Sequence, residues 1–453
     1  MRKAVVEILF TILLLITQIL AVVFYGVYHT HIFSATDPIA PMVVAGFSRY
    51  AQFQDIHVMV FVGMAFLFVF LKRFKLSALT QAFWVAALSV QYYFLWRALW
   101  EGAWLGYGDF YTWTPLLIKG EYCAFAMLIA LGAILGKANN FQILLIMIVG
   151  IMLFPLNEQI LFTHLDVSDI GGSMYIFAFG GFFGLGATWA LNYANSRNNI
   201  NYTTNINSNT LAMIGTLFLW VFWPSFNSAS AANDLAANVA IVNTYFCLIG
   251  SVMGAYFLTT IIHKGKFHME HILNATLVGG VLMGAGADLL LESFVAYIVG
   301  GLGGIVSALL YTYGSRMIRR MGIYDTAGVT FLFAIPGMIG GLLSAIYRAR
   351  YFSRGGIQVA GTGISIGIGF GGGLIIGLIA RFFSYYGLED EYYNDLSNVY
   401  FDDVADQAVT SRAVRGKDYA PAPAPVHPVN PAQYASNENR HELGNFNEHY
   451  SGV

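Results

Sequence analysis

Apolar residues in this chain come in long blocks divided by short polar punctuation. FTILLLITQILAVVFYGV (10–27), FQILLIMIVGIMLF (141–154) and GFGGGLIIGLIA (369–380) set the pattern. There is neither the strict alternation of a half-buried strand nor the one-sided stripe of a soluble amphipathic helix. About 20 apolar residues carry a helix across the hydrocarbon core of a bilayer. Twelve blocks qualify, near 4–26, 56–74, 77–100, 121–137, 141–162, 172–192, 211–228, 237–262, 270–290, 294–314, 327–347 and 361–386. Only helices and closed barrels satisfy every backbone group in lipid, so the pattern predicts an all-α polytopic membrane protein. The first block is longer than a cleavable signal core, and no small-x-small site follows it, so it counts as a span.

Composition sharpens this reading. Charged residues make up only 11% of the chain, against about 25% in a soluble domain. A net charge of −2 offers no field for nucleic acid. Cys123 and Cys247 each sit inside an apolar block, which argues against a disulfide framework or a thiolate metal site. Placing the N-terminus in the cytoplasm gathers Arg2, Lys3, Lys72, Arg73, Lys75, Lys137, Arg197, Lys264, Lys266, Arg316, Arg319 and Arg320 on that side. This satisfies the positive-inside rule and puts both termini inside. The loop RARYFSRGG, with Arg348, Arg350 and Arg354, breaks the rule, and Lys119 also falls outside. The sequon at Asn201 then faces the cytoplasm, and the one at Asn274 lies within a span.

The chain divides into a transmembrane part, 1–387, and a tail, 388–453. The tail is first acidic (LEDEYYNDLSNVYFDDVADQ) and then rich in proline and asparagine. Such a composition is expected to form a disordered cytoplasmic extension. Docking of its acidic part on the cytoplasmic loops is the alternative.

Two stretches repeat. DIGGSMYIFAFGG (169–181) and DTAGVTFLFAIPG (325–337) share Asp, Gly, Phe, Ala and Gly at matching places. Asp169 and Asp325 each open a span, where a carboxylate can accept from free N–H groups as an N-cap. On the orientation above one copy starts outside and the other inside. That is an inverted-topology repeat, which puts a substrate path near the midplane between the halves. Phe177 and Phe333 sit eight residues in, roughly 12 Å at 1.5 Å per residue, and are expected to meet near the pseudo-axis.

Several motifs resemble the Rhesus (Rh) branch of the ammonium transporter superfamily. They are FQDIHVMVFVG (53–63) followed by FLKRF (70–74), ALGAILGK (130–137), LNE (156–158), AMIGTLFLWVFWPSFNSA (212–229), HILNATLVGG (271–280) and IPGMIGG (335–341). The resemblance implies an ammonium transporter-like fold and a homotrimer, or a mixed trimer with other Rh subunits, with one narrow pore per subunit. It implies passage of NH3 or another small neutral gas such as CO2. Carried over by motif, Tyr122 and Phe226 form an outer aromatic gate, and Asp169 and Asp325 are pore-supporting carboxylates. The family's two mid-pore histidines fall at Phe177 and Phe333. That departure removes every mid-pore proton acceptor and makes the lumen drier and narrower. It leaves a rival reading open, a transport-silent homologue serving as a structural or assembly subunit.

No nucleophile elbow, phosphate loop or HExxH helix is present, so neither an enzyme nor a bound cofactor is expected. His57 reads as interfacial beside Asp55. Glu158 and Asp288 lie at span ends, within reach of an interface or a neighbouring helix. His263, His268 and His271 bracket a basic loop, but without carboxylate or cysteine company no metal is assigned to them. The plasma membrane is the expected location, with an internal acid or contractile compartment as the alternative.

Overall fold

The computed structural model describes residues 2–30, 49–102, 110–111, 113–191, 199–289, 291–384 and 391–400. All twelve apolar blocks form helical elements. In chain order they are α1 Arg2–Tyr28, α2 Tyr50–Phe70, α3 Lys75–Trp100, α4 Thr114–Ile134, α5 Asn140–His164, α6 Ser173–Leu191, α7 Ile206–Ser228, α8 Asp234–Ile262, α9 (269–286), α10 Ser293–Arg320, α11 Thr330–Phe352 and α12 Gly355–Phe383. Ten of these, among the described residues, are long and apolar enough to cross a membrane by hydropathy alone. The other two explain themselves. α3 has the length but carries Gln81, Gln91 and Arg97. α9 is broken into alternating α and 3-10 turns around Ala275–Leu277 and Gly284–Gly286. The result is an all-α polytopic membrane protein with an inverted repeat.

Helix ends differ from block ends where local chemistry decides. α4 starts seven residues before its apolar block because Pro115, lacking an N–H to lose, sits in the first turn. It stops at Ile134 because Gly136, at φ +71°, turns the chain away. α5 begins with a reciprocal capping box between Asn139 and Gln142.

α1 lies on α3. The Tyr25 hydroxyl donates to the Gln91 carbonyl at 2.8 Å, and Tyr92 donates to the Thr17 carbonyl. The opposite face, with Ile8, Leu15 and Val22, is exposed, as suits lipid. α8 and α10 touch backbone to backbone at Gly250, Gly254, Gly300 and Gly304. These two small-x-x-x-small pairs let membrane helices approach closely.

Two of the three offending cations, Arg348 near the end of α11 and Arg354 just before α12, have acidic partners. Arg348 donates to Ser168 Oγ (2.7 Å) and pairs with Asp288 (3.1 Å), while Arg354 pairs with Asp166. Asp288, read as a span-end residue, is therefore one half of an ion pair.

Residues 391–399 belong to the same compact unit as the helices. Asp395 takes the N-terminus of α3, its carboxylate accepting from the Lys75, Leu76 and Ser77 amides at 3.1, 3.3 and 2.7 Å. Tyr393 donates its amide to the Gly136 carbonyl. The Asn201 side chain, in one of the two sequons, is buried between Arg73 and the Tyr392 carbonyl. The expectation of a disordered extension otherwise falls on 388–390 and 401–453, outside the described residues.

The two repeats cross through their last glycines. A Cβ on Gly181 would lie 2.7 Å from Ala334 Cβ; one on Gly337 would lie 2.5 Å from the Ser173 carbonyl and 2.7 Å from the Ala178 amide. Residue 178 corresponds to 334, and 181 to 337, so the contact is reciprocal, as a two-fold axis requires. Gly337→Val therefore meets backbone that cannot yield, and is expected to lose the monodisperse peak in gel filtration. Gly371→Val, with nothing within 4 Å of its Cβ position, is expected to elute as the wild type does.

Candidate functional site

The site is built from the two aspartate turns. After α5, Gly172 adopts φ +78° and turns the chain back over Asp169. Asp169 Oδ2 then accepts from the Met174 and Tyr175 amides at 2.8 and 2.9 Å. In the second copy Gly328 has φ +71°. Asp325 Oδ1 accepts from the Gly328 amide at 3.0 Å, and Oδ2 from the Thr330 amide and hydroxyl at 2.7 and 2.6 Å. The N-cap positions are in fact Gly172 and Val329. Each aspartate stands further upstream and reaches over the turn to the same free N–H groups. Burial raises the Asp169 carboxyl to about 6, against the pull of its amide donors. Lys137, on the chain after α4, donates to the Ala133 carbonyl and Thr188 hydroxyl, both at 2.7 Å, and to the Tyr324 carbonyl. It fixes the approach to Asp325.

Both helices then open with a π-helical turn, Ser173–Ala178 and Thr330–Ala334. Single π turns inside α-helices often mark functional positions. Here they carry Phe177 and Phe333. The two side chains are buried, and their rings lie 6.0 Å apart between centroids with planes 24° from parallel.

These rings continue a column. Tyr122 and Phe226 meet at 4.7 Å, and the Tyr122 hydroxyl donates to the Phe226 carbonyl at 2.8 Å. Phe226 stacks on Phe177 at 5.6 Å. Two rings absent from the sequence reading close the sides. Phe125 touches Phe226, Phe177 and Phe333 at 5.0, 5.8 and 6.0 Å; Trp223 touches Phe177 at 5.7 Å. All six side chains are buried. Nothing in the spacing of Phe125 and Trp223 sets them apart from ordinary core aromatics.

On one side the column ends in a cavity of about 460 Å³. Phe333 and Leu332 form its deep end, His268, Glu270 and Arg319 line it, and exposed Phe267 marks its rim. On the other side, beyond Tyr122, lies a charged network. Lys119 Nζ sits 5.1, 5.3 and 6.0 Å from the ring centres of Phe162, Tyr175 and Tyr122, and 3.0 Å from Glu158. Glu158 accepts from Tyr93 at 2.7 Å, and Arg97 donates to Tyr93. Glu158 thus reaches a neighbouring helix, as one half of an ion pair. His57 Nδ1 is 2.7 Å from Glu121, and the Ser225 hydroxyl donates to Asp55 at 2.5 Å. Neither His57 nor Asp55 is in the column's ring contacts. The three loop histidines, which carried no assignment from sequence, stand together.

Comparison with known proteins gives the family and the fold. Residues 19–392 match the Ammonium Transporter Family. The chain is 37% identical over 367 residues to an ammonium transporter Rh type C of Xenopus tropicalis, covering 74% of this chain and 77% of that one. Its likeness to the Homo sapiens ammonium transporter Rh type C is 35% over 406 residues, 81% and 84% of the two chains. Among solved structures, Nitrosomonas europaea Rh50, described with conduction by the Rhesus protein family of channels, superposes with a TM-score of 0.72 at 29% identity. That match covers 83% of this chain and 98% of that one. A sensor Amt protein matches the fold at 0.67 and 16% identity, over 79% of this chain and all of its own.

The aspartate turns predict two stability effects. Asp325→Ala leaves two amides and a hydroxyl unpaired and is expected to cost on the order of 1–2 kcal/mol in a thermal unfolding series. Asp169 has its folded carboxyl raised, so the folded state holds the extra proton between about 4 and 6 and wild-type stability falls as pH climbs through that window. Asp169→Asn keeps an acceptor for both amides but cannot titrate. Its melting temperature relative to wild type is expected to rise from pH 4 to pH 6 and stay level above; a flat difference would show that the carboxyl does not titrate there.

Proposed function

This chain belongs to the Rhesus branch of the ammonium transporter family, and we propose that it is an ammonia channel whose pore is the aromatic column. Tyr122 and Phe226 act as the outer gate, Phe177 and Phe333 as the mid-lumen constriction, and Asp169 and Asp325 as the pore-supporting carboxylates, each fixing the turn that opens its own half-repeat. The observation that carries this reading is the position of the column between a charged mouth and a cavity, on the axis where the repeats cross.

The rings decide which species passes. An ion loses several kcal/mol or more on entering an apolar site without partners. No imidazole stands among the six rings of the column, so ammonium must give its proton to water before it enters. NH3, or a neutral gas of similar size such as CO2, remains. The contact distances leave no open lumen, so each passage requires the rings to swing aside, as in a hydrophobic gate.

The assembly follows the family: a homotrimer, or a mixed trimer with other Rh subunits, each subunit with its own pore. The Lys and Arg distribution supports cytoplasmic N- and C-termini, which twelve crossings place on one side of the bilayer. Pairing of Arg348 and Arg354 with Asp288 and Asp166 weakens the main objection to that orientation. The plasma membrane is the proposed location. The unbroken ring contact favours one other reading, a silent subunit whose column never opens.

Proteoliposomes holding a pH dye, mixed rapidly with an ammonium gradient, separate the two. Wild-type vesicles are expected to alkalinise several-fold faster than empty ones, without current on a supported membrane. Phe177→Ala/Phe333→Ala is expected to be faster still. Wild type equal to empty vesicles, with conduction gained in Phe177→His/Phe333→His, would establish the silent subunit.

A further inference from the structure

We propose that His263, His268 and His271 form a binding site for one divalent transition-metal ion of the zinc class, at the rim of the cavity that leads to Phe333. The candidate ligand atoms of the three side chains all lie within 4.8 Å of one another. The rings of His263 and His268 stack at 4.8 Å and 15°, and His271 meets them at 5.4 and 4.9 Å. Zinc holds imidazole nitrogen at about 2.0–2.1 Å, which sets tetrahedral ligands about 3.4 Å apart.

The backbone is already fixed for this. His263 ends α8, its amide donating to the Thr259 carbonyl at 2.9 Å. Lys264 and Gly265, at φ +52° and +84°, reverse the chain, and the Gly265 amide returns to the Thr260 carbonyl at 2.8 Å. The His268 amide donates to the Thr259 hydroxyl at 3.1 Å. His271 has Nδ1 3.1 Å from Thr259 Oγ1 and Nε2 3.1 Å from Thr312 Oγ1. Whichever nitrogen ligates, the other keeps a threonine that sets its tautomer, the usual support for a metal-bound histidine. His263 Nε2 is buried with no hydrogen-bond partner among the described residues. A bound ion gives it one.

Imidazole alone selects the ion class. Zn²⁺, Cu²⁺ and Ni²⁺ accept such a set, whereas Mg²⁺ and Ca²⁺ require oxygen ligands. Three protein ligands leave a further position for water or a small donor. His268 lines the cavity as well. The carbonyl end of α8 adds a partial negative charge beside the ion.

The test is direct. Untagged protein, stripped with a chelator in detergent, is titrated with Zn²⁺ by competition against a chromophoric chelator, and in parallel with Co²⁺ by visible absorption. One ion per chain is expected, with the intense bands of four-coordinate cobalt. Affinity is expected to fall at least tenfold in His268→Ala, whose ring makes no hydrogen bond among the described residues, and to be unchanged in His164→Ala, an exposed histidine outside the cluster. His271→Gln, which keeps a polar partner for the threonines, guards against loss of fold, and its gel-filtration profile is to match wild type while its affinity drops. Less than one ion per chain, or equal affinity in wild type and His268→Ala, would leave only a stack of imidazole rings and overturn the site.

Discussion

Two glycines crossing at van der Waals distance hold the centre of this protein. Gly181 lies on Ala334 and Gly337 on Ala178, and any side chain at either glycine would force α6 and α11 apart. Because membrane helices gain little from hydrophobic association, contact must come from packing and buried hydrogen bonds. The close crossing supplies the packing. The aspartate turns supply the bonds, tying each half-repeat to its own first amides. With these constraints in place, Phe177 and Phe333 have nowhere to stand but against each other and against Phe125.

The chemistry of the column follows from what those rings lack. A pair of imidazoles in the same place would offer lone pairs and N–H groups to a passing molecule. Phenyl rings offer only polarizable faces. The charged groups stand at either end instead: Lys119 and Glu158, with Tyr93, at one end, and Glu270 and Arg319, with His268, in the cavity at the other. Charged side chains thus flank the column, and none stands among its six rings.

Much of this was legible in the sequence, for physical reasons. Spans are set by hydropathy, and all twelve blocks became helical elements. The repeat was visible because turn geometry needs particular residues, Asp to accept amides and Gly to take positive φ, at fixed spacing. The illegible parts depend on pairing across the fold. Phe125 and Trp223 look like any buried aromatic until Phe177 lies between them. The placement of Arg348 and Arg354 broke a charge rule because their partners, Asp288 and Asp166, lie far away in sequence. The three histidines were discounted for want of acidic or thiol neighbours, but their stacking and the threonines behind them come from α8, α9 and α10 folding together. The N-cap reading of the aspartates erred by a few residues, since a π turn places the first free amides further along the chain.

That π turn has a consequence for how the chain tolerates change. In the first repeat the Phe177 amide bonds to the Gly172 carbonyl five residues back, so one more residue is wound into the turn than an α-helix would hold. Each residue of an α-helix rotates the side-chain direction by about 100°. Removing one residue between Asp169 and Phe177 would swing the ring from the axis toward a neighbouring helix while leaving hydropathy, charge and length almost untouched. The ring is aimed by counting, so the variation this segment resists most is a change in the number of its letters, more than a change in their identity.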